Sequence, residues 1–170
     1  MNTVERTSKE FFKELRILHL ALLVGQLLIA GILYYITTGE KKKMDFDSGD
    51  ISSYFVPSVI VVGFMASSFI FKKLVVKAKS MDNLKDKLGA YRSASIVKWA
   101  LLEGPALIGI ILFFISNNLT FLIMGVAMIV YFATTGSSIE KTIEDLSLNH
   151  DEQKAVRRPD EIVARIKSAL

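Results

Sequence analysis

The chain contains no cysteine, so it can form no disulfide, no thiolate metal site and no cysteine nucleophile. Its two histidines, His19 and His150, are far apart in sequence, and they leave no metal-ligating cluster to expect. No P-loop, serine elbow, zinc motif or dinucleotide fingerprint occurs, so neither a cofactor nor soluble-type enzymatic chemistry is expected. Basic residues do not alternate with aromatics, and no nucleic-acid-binding motif is present. What is most conspicuously missing is charge, which is almost absent from several long stretches of an otherwise charged chain.

Those stretches hold much of the apolar content. Of 170 residues, 51% are hydrophobic and 22% are charged, with a net charge of +4. Charge-poor runs of about 18 residues or more read as membrane spans. Four are expected, at about 17–37, 51–71, 94–116 and 119–139. Each is long enough to cross a hydrocarbon core of roughly 30 Å at about 1.5 Å per residue. None alternates as a barrel strand would. The first run is longer than a signal-peptide core and has no small-x-small cleavage site after it, so it reads as a retained helix. The expected fold is therefore an all-α membrane bundle of two hairpins. A four-helix transmembrane domain would occupy 1–139, with hairpins at about 17–71 and 94–139. A polar tail would occupy 140–170.

Shorter elements surround the spans. Residues 3–16 read as an amphipathic helix, with Phe11, Phe12 and Leu15 on its apolar edge and Thr7 with Glu10 as a capping box. The connection at 72–92 reads as partly helical, with Gly89 as a hinge. Two short helices are expected in the tail, where Asn149 and Glu152 form a second capping box and Pro159 breaks the pattern.

Basic residues set the orientation. Seven lie in the 72–92 connection, whereas the Asn117–Asn118 turn carries no charge. The excess places both termini and the 72–92 connection on the cytoplasmic side of a bacterial inner membrane. Lys41, Lys42 and Lys43, in the first hairpin loop, are the discordant group, although Glu40, Asp45, Asp47 and Asp50 accompany them. Trp99 and Tyr91 suit the inner aromatic belt, and Tyr34 and Tyr35 the outer one.

The first and third runs are related. Aligned without a gap, ILHLALLVGQLLIAGILYYIT (17–37) and IVKWALLEGPALIGIILFFIS (96–116) are identical at ten of 21 positions. The second and fourth align weakly, around Gly63 and Gly125. The pattern predicts two tandem parallel-repeat hairpins. Both copies carry small-xxx-small spacing, Ala21 with Gly25 and Ala100 with Gly104. That spacing predicts packing of the first and third spans through these residues and Pro105.

Glu103 is the only acidic residue inside any span, roughly 14 Å along the third. A carboxyl at that depth is costly and marks a functional-site candidate. It is expected to be protonated at neutral pH. Pro105 lacks an N–H and leaves the Leu101 carbonyl without its helical partner. Glu103 could bond that region, or Gln26 on the repeat-related helix. Glu103 and Gln26 are the ion- or proton-binding candidates, each read alternatively as helix glue. His19 and Lys98 are expected to reach toward the interface.

With LRILHLALL near the start and YRSASIVKWALLEGPA in the middle, the chain resembles a family of small bacterial four-helix membrane proteins, a resemblance that implies no activity. Around Glu103, ALLEGPA is similar to the ion-binding helix of rotary ATPase proteolipids, which would make Glu103 a proton or sodium site. The glycine-rich partner helix of proteolipids is absent from the second and fourth runs. The leading expectation is a small polytopic membrane subunit acting in complex assembly, with Glu103 a neutral buried acid. The alternative is a proton- or ion-coupled channel, transporter or proteolipid-like subunit that uses Glu103. Expected partners are the bilayer, other copies or membrane proteins, and in the alternative protons or monovalent cations.

Overall fold

The computed structural model describes residues 3–44 and 51–167. Eight elements follow in order: β1 (Thr3–Thr7), α1 (Ser8–Ile36), α2 (Ile51–Lys79), α3 (Leu84–Ser116), α4 (Leu119–Ala133), α5 (Ile139–Leu146), α6 (His150–Arg157) and β2 (Ile162–Lys167). Three helices, α1, α2 and α3, are long and apolar enough to cross a membrane. The fourth apolar helix, α4, has 15 residues, a length of about 22 Å at the usual rise.

The chain divides into two compact units that do not follow its order. The first comprises Met1–His19, Phe69–Lys98 and Gly136–Leu170; the second comprises Leu20–Ser68 and Trp99–Thr135. Residues 140–170, read from sequence as a separate tail, belong to the first unit.

The first unit is organised by chain ends that meet. β1 and β2 pair antiparallel, from Thr3 opposite Lys167 to Thr7 opposite Ile162. This corrects the helix expected over 3–16: residues 3–7 are a strand, and the helix starts at Ser8. The local pattern TVERT is rich in β-branched residues, and its pairing partner lies at the far end of the chain, where no local signal points to it. The Thr7–Glu10 capping box does form, with Thr7 N–H on Glu10 Oε2 at 3.1 Å and Glu10 N–H on Thr7 Oγ1 at 3.3 Å. Ser8 N–H donates to Glu161 O at 2.9 Å, and the Ser8 hydroxyl donates to Val156 O. Around these bonds, Phe11, Leu15, Leu88, Tyr91, Leu146, Val156 and Val163 are all buried. Both short helices of the tail are present, and the Asn149–Glu152 capping box closes α6 at its start. Gly89 is not a hinge, because it lies inside α3, whose first turn is at Leu84. The chain reverses at residues 80–83 instead.

Ion pairs join segments distant in sequence within this unit. Lys85 meets Glu5 at 2.8 Å, Lys87 meets Glu152 at 2.7 Å, and Arg92 meets Glu14 at 2.5 Å. The Tyr91 hydroxyl donates to Asp145 at 2.9 Å, tying α5 to α3. Tyr91 is therefore in a core, not in a lipid belt.

The second unit is apolar. Of the three long helices, α3 has the largest buried share. α2 meets it at Gly63 and Pro105, and α4 meets it where Gly125 and Gly109 face each other. Tyr34 of α1 stacks on Phe113 at 6.2 Å. Val56, Phe113 and Phe121 form a core cluster. The outward faces of α1 and α2 are apolar, for example Leu28 at 59% and Met65 at 64% exposure. Such bare apolar faces suit hydrocarbon, not water. The hairpin loops also touch: Lys43 N–H donates to Asn117 O and Leu119 N–H to Lys43 O, each at 2.9 Å.

Candidate functional site

Glu103, Gln26, Ala21, Gly25, Ala100, Gly104 and Pro105 lie in the second unit, whereas His19 and Lys98 lie in the first. Glu103 sits on α3 immediately after fully buried Leu102 and is itself half-buried. No hydrogen bond or ion pair joins its carboxyl to any described residue. Neither the Leu101 carbonyl nor Gln26, the two acceptors suggested by sequence, receives its proton in this chain.

Gln26 lies on the inward stripe of α1. Phe11, Leu15, His19, Gln26, Ala30 and Thr37 recur at helical spacing, and all are buried. Gln26 is fully buried, and neither its Oε1 nor its Nε2 has a hydrogen-bond partner. A side chain that normally accepts at one atom and donates at the other is thus satisfied at neither. His19, expected to reach toward the interface, is buried as well, with its ring against Gly136.

The small residues of α1 and α3 at the repeated spacing stand in open surroundings. A Cβ added to Gly25 or Gly104 would meet nothing within 4 Å. Ala21 and Ala100 are exposed. Among the described residues, no close approach is seen at Gly25 or Gly104. The close approaches are at glycines of α2 and α4. A side chain on Gly63 would collide with Pro105 Cγ and stand 3.2 Å from Leu101 O. One on Gly125 would stand 3.0 Å from Ala106 O. Pro105 thus packs against Gly63 of α2. The proline frees the Leu101 carbonyl, and the glycine lets α2 lie against both. The signal for this was in the sequence, since Gly63 and Gly125 are the points around which the second and fourth spans align.

Beside that contact runs an open apolar groove of about 410 Å³. Gly63 and Ala66 of α2 line it with Ala100, Leu101, Gly104 and Pro105 of α3, and Glu103 is not in its lining. Trp99, expected in the inner belt, is fully buried and donates its indole N–H to Thr135 O at 3.2 Å. Ser67, Thr134 and Thr135 return their hydroxyl protons to carbonyls three residues back, at 2.7–2.8 Å. Among the described residues, no group of three histidine, aspartate or glutamate side chains could hold a metal.

No family model matches the chain, and neither a curated protein nor a solved structure does. Function therefore has to be read from the residues themselves.

Proposed function

We propose that this chain is a four-span protein of the bacterial inner membrane, built from two tandem hairpins with both termini cytoplasmic, and that it is a subunit of a membrane assembly. The four-span reading is supported by the second unit, which contains the helical stretches 20–36, 51–68, 99–116 and 119–133. These run roughly 22–27 Å each, and α4 spans with the help of the turn that follows it. The seven basic residues at 72–92 support the orientation.

The observation that carries the assembly reading is the unpartnered carboxyl of Glu103. A carboxylic acid in hydrocarbon without a hydrogen bond is costly. Glu103 is half-exposed and without a partner among the described residues, so the group that satisfies it comes from a second copy or another membrane protein. Glu103→Gln keeps hydrogen-bonding capacity and should preserve both fold and assembly, with stability changed by only about 1 kcal/mol. Glu103→Leu should fold but fail to assemble, read as a smaller particle in mild detergent.

The rival reading makes Glu103 a proton or ion carrier, either in a transporter or in a proteolipid-like ring. The bare amide of Gln26 favours it, because an unsatisfied polar group inside an apolar unit is a natural stop for a water or a cation. Proteoliposomes separate the two. Proton flux by the wild-type chain that a well-folded Glu103→Gln variant lacks would replace the assembly reading with this one.

A further inference from the structure

The first unit carries its positive charge in one place. Residues 69–98 contain eight lysines and arginines against only Asp82 and Asp86. Three of the eight are held in ion pairs: Lys85 with Glu5, Lys87 with Glu152 and Arg92 with Glu14. The last turns of α2 differ. Lys72, Lys73, Lys77 and Lys79 are all exposed, and none is paired with a described carboxylate. Lys79 donates to the Ser147 hydroxyl at 3.0 Å.

The rotation of this segment is fixed by its other side. Val75 and Ala78 are buried in the unit. The exposed side carries Phe69 and Val76, 62% and 66% exposed, among the lysines. Lys73 Nζ lies 5.1 Å from the Phe69 ring centre, one helical turn away. Water alone does not suit a face of bare phenyl and valine, and hydrocarbon alone does not suit four lysines. The pattern fits the boundary between them, where apolar bodies enter the acyl layer and ammonium groups reach the polar layer.

We infer that this face of α2 is a binding surface for the headgroups of anionic phospholipids. The inference rests on the membrane reading above. Charge complementarity selects the occupant: Glu5, Glu14 and Glu152 are engaged with Lys85, Arg92 and Lys87, and no described carboxylate pairs with the four lysines of the patch. Four lysines immediately beside an apolar helix are the pattern by which anionic lipid is held, each contributing about a fivefold preference.

The full-length protein is placed in nanodiscs of equal phosphatidylcholine and phosphatidylglycerol, and the lipids it retains are counted by native mass spectrometry. The wild-type chain should retain phosphatidylglycerol preferentially, and less so at high salt. A triple variant, Lys72→Gln, Lys73→Gln and Lys77→Gln, should lose most of that preference while melting at an unchanged temperature. A control triple of the same charge change, Lys9→Gln, Lys13→Gln and Lys154→Gln, removes exposed lysines elsewhere in the unit and should retain the preference. No preference in the wild type, an equal loss in both triples, or an acidic protein retained in place of lipid would overturn the inference. A chain that stays soluble without detergent and does not enter the discs would instead overturn the membrane reading.

Discussion

Gly63 and Pro105 exclude one another's growth: the proline ring of α3 occupies the space into which any side chain at residue 63 would extend. A pyrrolidine ring cannot swing aside as a long flexible chain can, and the Leu101 carbonyl behind it is backbone. Gly63→Ala should therefore destabilise by about 1–3 kcal/mol, the usual cost of overpacking. Gly25→Ala and Gly104→Ala, with open space at both positions, should be neutral or gain up to about 1 kcal/mol from helix propensity. Melting temperatures in one detergent decide it, and equal losses at Gly63 and Gly104 would refute the contact.

Gln26 offers a test of the opposite sign. Its amide is fully buried with both polar atoms unpaired, which costs about 1–3 kcal/mol. Leucine has a similar volume and nothing to satisfy. Gln26→Leu should raise the melting temperature if the residue is only part of the packing. A stabilised variant that has also lost proton flux would place Gln26 on a conduction path.

The Lys87–Glu152 pair predicts how the first unit responds to acid. Burial pushes the Glu152 carboxyl up. The Lys87 hydrogen bond, the Asn149 N–H and the Lys87 charge outweigh it, so the group sits below its ordinary 4.5. A depressed carboxyl stabilises the fold fully above its unfolded value and loses that contribution as pH falls through the folded one. The wild-type melting temperature should exceed that of Glu152→Gln at pH 7. The gap should be full above the ordinary 4.5 and shrink as the pH falls below it. A gap that widens in acid would contradict the pairing.

Orientation can be read with single cysteines, since the native chain has none. Gly39→Cys in the first hairpin loop should react with an impermeant maleimide in intact cells. Ser80→Cys, in the turn between α2 and α3, should react only after lysis. The reverse pattern would invert the topology.

Features with local physical causes could be read from sequence. Both capping boxes form on the expected residues, because each is a contact between positions three apart. The apolar runs become helices because their backbone groups must pair internally in a lipid setting. Contacts between remote segments could not be read. The strand at Thr3–Thr7 depends on residues near 165, and Trp99 and Tyr91 look like interfacial aromatics until their buried partners, Thr135 and Asp145, are known. The repeat at Ala21–Gly25 and Ala100–Gly104 drew attention to spacing on α1 and α3, whereas the tight contacts belong to Gly63 and Gly125. Small-residue spacing permits close approach but does not say which neighbour arrives. Glu103 was legible as the lone acid of an apolar run; its lack of a partner among the described residues was not.

The pairing of β1 with β2 also bears on how the protein is made. The first unit cannot close over Ser8 until Val156, Glu161 and the buried pair Val163 and Ala164 have been synthesised. The apolar segments, by contrast, leave the ribosome in sequence and can enter the bilayer as they emerge. During translation, the N-terminal strand must therefore wait with an unsatisfied edge while everything between it and its partner is threaded. A ribosome that stalls after α4 would leave β1 without its strand partner.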